Sequence, residues 1–482
     1  MSWVLVLGDV FLDRWTTGTV SRCSPEAPVP VLVATQTIEA PGGAGNVAMN
    51  LSSLGIRTRY FGRRVDCHDC PDSERICRML AIHGVDMRAG YASKVPPEVK
   101  HRYASGQQLL RVDTTYPKLY DPPEVQAEYV RSLHHLLHEQ PSAVVVSDYG
   151  KGTLDGLRNV ISNLCESYKL PLYVDTKPEY LKEYGSVFML KPNLREAAAM
   201  AGPVLHPALE TDDPVQHGIV YGREILRTHP QISAVCVTLG AAGSVLLAGD
   251  RDSSTDASHH QVADVTGAGD TFLATLVAGV VAGHGVCEAA RRATLAGAMA
   301  VSRYGTVTIG GDELEDLVLG LKGDAGKLMN DAEVAKYAAR QHRKGKRIGF
   351  TNGCFDLMHP GHVYLLQQAR SRCDVLIVAA NSDASISRLK GPGRPVGDAS
   401  LRRPLLLPLV DALVEFDDDT PLDIIKAIHP QFLFKGDEYI DQNVVGADFV
   451  AARGGEVVFI PMLPNFSTTQ IAEVLSGRGS TV

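Results

Sequence analysis

Short apolar runs alternate with longer amphipathic stretches along nearly all of this chain, and the alternation breaks in one charged, glycine-punctuated stretch at about 312–346. The runs at 3–7, 143–146, 172–174, 187–190 and 234–237 are mostly aliphatic, with helical spacing between them. A strand that is apolar on both faces must be covered on both, so the pattern predicts a parallel sheet under two layers of helices. After the break the pattern restarts at 347–351, 375–379, 412–415, 432–435 and 456–460. A chain of 482 residues exceeds one ordinary core at roughly 100–200 residues per domain. We therefore expect two α/β domains, 1–315 and 346–482, joined by a linker with a helical segment at 316–345. The Ala-, Gly- and Val-rich stretches at 263–283 and 288–302 predict closely packed helices.

Composition narrows the class. Hydrophobic residues make up 45% and charged residues 21%, as in soluble globular proteins, and a net charge of −8 argues against a nucleic-acid partner. No run of about 18 apolar residues predicts a membrane span, and the first strand starts too early for a basic-flanked leader, so a cytoplasmic address is expected. Nine scattered cysteines fit reduced thiols. Cys67-His68-Asp69-Cys70, with Cys77 and His83 nearby, lacks a second Cys-x-x-Cys pair and reads as a surface loop with incidental thiols.

Chemistry concentrates where strands end. Gly8-Asp9-Val10-Phe11-Leu12-Asp13 follows the first run, placing Asp9 and Asp13 where carboxylates can accept hydrogen bonds from a polyol; an Asp there is also a common cap. In Pro41-Gly42-Gly43-Ala44-Gly45-Asn46 the paired glycines let the backbone approach a ligand and Asn46 can donate and accept, unless the segment is only a tight turn before a helix. Gly267-Ala268-Gly269-Asp270 is the sharper signal. Small residues at a helix start leave N–H groups for a phosphate, and Asp270 can take a hydroxyl proton beside them rather than merely cap the helix.

These segments resemble the ribokinase-type carbohydrate kinases over residues 1 to about 312, with the two family signatures matching at 42–48 and 264–271. The resemblance implies Asp270 as catalytic base and ATP phosphates at Gly267, Ala268 and Gly269. It also implies that Asn193 and Glu196 of Lys191-Pro192-Asn193-Leu194-Arg195-Glu196 organise magnesium indirectly, and that Thr238 and Gly240 lie before the nucleotide pocket. Ser24-Pro25-Glu26-Ala27-Pro28-Val29-Pro30, Ser147-Asp148-Tyr149-Gly150-Lys151-Gly152 and Gln107-Gln108-Leu109-Leu110-Arg111-Val112-Asp113 resemble the heptose-7-phosphate kinases. That subgroup implies a sugar site at Asp9, Asp13, Gly42, Gly43, Asn46 and Asp148, with Lys100, Arg102, Arg111 and Lys151 as candidates for the acceptor's phosphate. Arg63-Arg64-Val65-Asp66-Cys67-His68-Asp69-Cys70 departs from the family's glycine and acidic residues, which puts its sugar contacts from this loop in doubt.

A second motif follows the break. In Thr351-Asn352-Gly353-Cys354-Phe355-Asp356-Leu357-Met358-His359-Pro360-Gly361-His362 two imidazoles sit three residues apart at a helix start, on one face, where they can hydrogen-bond a triphosphate. This resembles the His-x-Gly-His nucleotidyltransferases, a Rossmann-like domain in which His359 and His362 would be catalytic. Gly353, Phe355, Asp356, Lys390, Lys435, Gly436, Ser467, Thr468 and Thr469 would meet the nucleotide, with Arg394 and Arg402 or Arg403 as further cations. Asn381-Ser382-Asp383 fits the same pattern, and Gly397 departs from it where a side-chain amide is expected.

In order and spacing the two halves resemble the bifunctional heptose-7-phosphate kinase and heptose-1-phosphate adenylyltransferase family, whose first domain carries a small β-lid. The resemblance implies that ATP phosphorylates D-glycero-β-D-manno-heptose 7-phosphate at O1, a separate phosphatase removes the 7-phosphate, and adenylyl transfer yields ADP-heptose for lipopolysaccharide core or another bacterial glycan. Sugar phosphates, ATP and Mg2+ are the expected ligands. A homodimer through the kinase lid, whose strands fall at about 16–38, is the expected assembly. The same architecture could serve another sugar phosphate or use GTP or CTP, or one half could bind nucleotide without reacting. Intact Asp270, His359 and His362 argue against that last reading.

Overall fold

A computed structural model describes residues 2–65, 70–93, 96–116, 122–203, 212–249, 251–257 and 262–461. The chain divides into two compact units, Met1–Leu314 and Glu315–Val482.

The first unit is built on a nine-stranded sheet. Its order is Arg251–Thr255, Ser244–Ala248, Ile232–Thr238, Val187–Leu190, Leu172–Thr176, Ala143–Asp148, Trp3–Gly8, Arg57–Val65 and Asp86–Ser93. The first two are antiparallel additions at one edge, and the remaining pairings are parallel. Trp3–Gly8 and Ala143–Asp148 are buried at every position, as the apolar runs at 3–7 and 143–146 require. Successive side chains enter opposite cores: Leu5, Leu7, Val144 and Val146 face one layer, and Val4, Val6, Ala143 and Val145 the other. Helices Ala268–Val281 and Val286–Val301 pack closely through small residues, so a β-carbon on Gly279 would lie 2.9 Å from that of Ala289.

The chain winds outward from Trp3–Gly8 through Arg57–Val65, then returns to the other side with Ala143–Asp148. The order therefore reverses between Gly8 and Ser147, which are register partners. Ligands of open α/β sheets lie beyond the carboxyl ends of the strands at such a reversal. A separate four-stranded sheet stands beside it, ordered Pro30–Gly43, Val10–Cys23, Val99–Ser105 and Gln107–Thr114. This is the expected lid.

The second unit has a six-stranded sheet ordered Leu328–Met329, Ala412–Phe416, Val375–Asn381, Ile348–Gly353, Phe432–Gly436 and Glu456–Ile460, with every pairing parallel. Its order reverses between Ile348–Gly353 and Phe432–Gly436, where the second motif and Lys435 fall. Residues 316–345, expected to connect the domains, supply the edge strand Leu328–Met329 and the helix Asp331–Arg343. That helix opens with a reciprocal capping box between Asn330 and Glu333 and buries Val334 and Ala338 against Ile424 and Ile428. Its charges occupy the solvent face, which gave the stretch the composition of a connector.

Candidate functional sites

In the first unit the site forms around the start of helix Ala268–Val281. Gly267 precedes it with φ 77°, a left-handed conformation, and a β-carbon there would lie 2.7 Å from Asn46 Nδ2. Asp270, in the first turn, is 3% exposed. Its Oδ1 accepts from the Tyr149 hydroxyl at 3.1 Å and its Oδ2 from Asn46 Nδ2 at 3.2 Å. Asn46 is itself fixed by Asn50, whose Nδ2 donates to Asn46 Oδ1 at 2.8 Å. Burial, with Asp175 nearby, pushes the Asp270 carboxyl up to about 7, against the opposing pull of Asn46, Lys191 and Tyr149. A carboxylate so poised is suited to take a proton near neutral pH.

A cavity of about 510 Å³ lies beside that helix start, within the usual range for small-molecule sites. It is lined by Ala268, Gly269, Asn193, Glu196, Thr238 and Gly240, so all the expected ATP-binding residues but Gly267 wall it directly. Asn193 and Glu196 form a capping box on helix Leu194–Ala201, and Glu196 also takes a 2.8 Å ion pair from Lys177. Sequence reasoning assigned no role to Asp175, Lys177, Lys191 or Tyr149, which line the same cavity. Lys191, 2.9 Å from Asp175, reaches to 3.3 Å from where a β-carbon of Gly269 would stand, placing a buried cation against the helix start. Its position directly after strand Val187–Leu190, before Pro192, was the available signal.

The expected acceptor residues divide into two groups. Asp9 gives its carboxylate to the backbone N–H groups of Tyr149, Lys151 and Thr153 at 3.0, 2.9 and 3.2 Å. Asp148 accepts from Arg158 Nε at 2.7 Å and from the hydroxyls of Tyr184 at 2.8 Å and Thr176 at 3.1 Å. Asp148 also accepts from the Gly150 N–H at 3.0 Å, so both carboxylates brace the loop at 149–153. Asp13, by contrast, is paired with Arg102 at 2.7 Å on the lid, and Gly42 packs so tightly under Phe11 that a β-carbon would meet its ring at 2.1 Å. Gly43 follows at the end of the same strand, Pro30–Gly43. Lys100 Nζ lies 3.2 Å from the centroid of the Phe11 ring and 5.1 Å from that of Tyr149. Burial pushes its ammonium down to about 8, with Asp13 opposing and Lys151, Arg111 and Arg102 adding to the shift. These four cations therefore share one field, although Lys151 pairs with Glu98 at 2.8 Å and Arg111 with Asp113 at 2.6 Å.

In the second unit, His359 caps helix Pro360–Arg370 and its ring stacks on His362 with centroids 3.8 Å apart. His359 is 6% exposed, and its Nδ1 is buried without a hydrogen-bond partner. Burial, with His359 and Lys390 nearby, pushes His362 down to about 4, and burial and Lys390 lower His359 as well. Both imidazoles are thus neutral donors at the positive end of a helix. Lys390 is exposed at the end of helix Asp383–Lys390, close enough to act on both rings.

Lys435 donates to Asn352 Oδ1 at 2.7 Å, crossing the reversal between strands Ile348–Gly353 and Phe432–Gly436; burial pushes its ammonium down to about 8. Gly353 and Gly436 end those two strands, and Phe355 follows with φ 48°, its ring 5.3 Å from that of His362. Asp356 is buried against Arg394 and accepts from Val396 N–H at 2.6 Å, so it anchors the 394–397 loop. Arg402, 2% exposed, donates to the carbonyls of Cys354 at 2.8 Å and Asn381 at 3.0 Å, whereas Arg403 pairs with Glu415 away from the motif. Ser467, Thr468 and Thr469, like Cys67 and His68, lie outside the described residues.

Comparison with known proteins agrees with this division. Residues 4–310 match the model of the pfkB family carbohydrate kinases, and residues 350–473 match the cytidylyltransferase-like family. The chain is 40% identical to the bifunctional protein HldE of Hyphomonas neptunium, across 97% of this chain and 95% of that one. It is 38% identical to the protein of the same name from Pseudomonas syringae pv. tomato, across 99% and 98%. Among solved structures, phosphofructokinase-2 from Escherichia coli superposes with a TM-score of 0.54 at 20% identity, covering 67% of this chain and 99% of that one, a likeness of fold.

Proposed function

The chain belongs to the HldE family of bifunctional proteins, its first unit to the pfkB carbohydrate kinases, and from that premise we propose how its residues divide two reactions of ADP-heptose biosynthesis. It is a heptose-7-phosphate kinase and a heptose-1-phosphate adenylyltransferase.

In the first reaction the acceptor is D-glycero-β-D-manno-heptose 7-phosphate. Asp270 takes the proton of its C1 hydroxyl as that oxygen bonds to the γ-phosphorus of ATP and ADP leaves. The first-turn N–H groups at Ala268 and Gly269, with Lys191, offset the charge on the transferring group. Lys100 and Arg102 hold the acceptor's phosphate. Asp13 and Asn46 shape the sugar side. Asp175 and Glu196 offer the oxygen donors magnesium favours, and the engagement of Glu196 with Lys177 fits a water-mediated contact. Magnesium held there would supply charge neutralisation at the ATP phosphates.

In the second reaction an oxygen of heptose 1-phosphate attacks the α-phosphorus of ATP and pyrophosphate leaves. The nucleophile is already anionic, so the protein's task is positioning and charge neutralisation. His359 and His362 donate to the triphosphate, and Lys390 and Lys435 add positive charge. The kinase product, the 1,7-bisphosphate, carries one phosphate more than the heptose 1-phosphate that the second unit accepts, so a phosphatase acting between the steps completes the sequence. Exposed Val20, Val33, Leu110 and Val112 on the lid support a homodimer through the first unit.

The observation that carries this reading is the buried Asp270 in the first turn of a helix whose start lines a cavity, in a chain that also holds stacked His359 and His362. The mass of the product from heptose 1-phosphate and ATP tests it: ADP-heptose is expected, and no turnover with any heptose phosphate refutes it.

A further inference from the structure

We propose that Tyr149 is the positioning residue of the phosphorylation step: its hydroxyl holds the Asp270 carboxylate in one orientation and favours the ionised form that accepts the proton. This rests on Asp270 being the base.

Each carboxylate oxygen of Asp270 has one donor, and the two donors come from different elements. Asn46 projects from helix Ala44–Ser53 and is locked by Asn50. Tyr149 follows strand Ala143–Asp148, and its backbone N–H is pinned by Asp9 at 3.0 Å. Its ring meets Phe11 edge-on at 5.2 Å. Lys100 and Lys177 lie 5.1 and 5.3 Å from its centroid, so a lid cation and a cavity cation both approach the ring. Burial, with Asp270 and Asp175 close by, holds the phenol well above its usual range, so it stays a donor throughout the working pH.

Among the other groups facing Asp270, Asp175 opposes its ionisation and Lys191 favours it; Lys177 is paired with Glu196. Tyr149 is therefore the hydroxyl whose loss changes the base without removing a charge. As the acceptor oxygen bonds to phosphorus, its proton passes to Asp270. Tyr149 cannot compete for that proton, because its own oxygen remains protonated.

The test compares pH profiles of kcat/KM for heptose 7-phosphate phosphorylation in the full chain, with adenylyl transfer by the same preparations reporting intact protein. Tyr149→Phe removes the donor, so the acid limb should move up by about one pH unit. Activity near pH 6 should fall about tenfold and largely recover in alkali, with acceptor KM little changed. Replacing Tyr149 with 3-fluorotyrosine, a stronger donor of the same shape, should move the limb down. An acid limb that stays in place in both variants overturns the proposal and leaves Tyr149 a packing residue. Asp270→Asn separates the two ideas: if phosphorylation survives it, the reading of Asp270 as base has failed, and the proposal falls with it.

Discussion

The two units handle phosphates from the same place in the fold, yet they set protonation in opposite ways. At the end of the first sheet, burial pushes a carboxyl, Asp270, up to about 7; at the end of the second, burial pushes an imidazole, His362, down to about 4. Desolvation favours the neutral form in both cases. The outcomes differ because the nucleophiles differ. A sugar hydroxyl must lose a proton, so it needs a base that is ionised at the working pH but not inert. A sugar phosphate already carries its charge, so it needs neutral donors and nearby cations that do not exchange protons with it. With the roles proposed for Asp270 and His362, the same burial serves acid–base catalysis in one unit and electrostatic positioning in the other.

The largest effect should come from removing the base. Asp270→Asn should lower phosphorylation by about 10^3-fold while adenylyl transfer is unchanged, measured as ADP and pyrophosphate release from one preparation. His362→Ala should reverse the pattern, cutting adenylyl transfer by about 10^2- to 10^3-fold and sparing the kinase. Next in size is Lys100→Ala, which should raise acceptor KM about 10- to 100-fold through loss of a charged phosphate contact, with kcat less affected. The smallest but most direct contrast is in pH. Asp270 must be ionised to act, so kinase kcat/KM should fall tenfold per unit below about pH 7. The His362 ring is neutral above about 4, so its NMR signal in the free protein should not titrate between pH 5 and 8. A titration in that window would break the comparison.

Both motifs were legible because each is a short contiguous turn, and strand, turn and helix start carry local signals that survive without tertiary information. Gly267–Asp270 and His359–His362 lie where their sequences put them, at helix starts. What could not be read depends on which strands become neighbours. Tyr149 and Asp270 are 121 residues apart in sequence, and only the parallel order brings the hydroxyl to the carboxylate. The same topology gives Asp9 and Asp148, which the sequence offered only as sugar-site candidates, a bracing role at the 149–153 loop that spacing could not reveal. Asn193 and Glu196 show that a capping box and a cavity wall can be one pair of residues, a distinction no spacing could make.

The short strand Leu328–Met329 and the helix after it have a practical meaning for dissecting the two activities. A fragment begun at 346, where the sequence pattern visibly restarts, would lack the outer of the two partners of strand Ala412–Phe416 and the cover over Ile424 and Ile428. It would present an unpaired edge next to bare aliphatic surface, a template for aggregation. The second enzyme should be liberated intact only by a cut near Leu314, about thirty residues earlier than its hydrophobic rhythm announces.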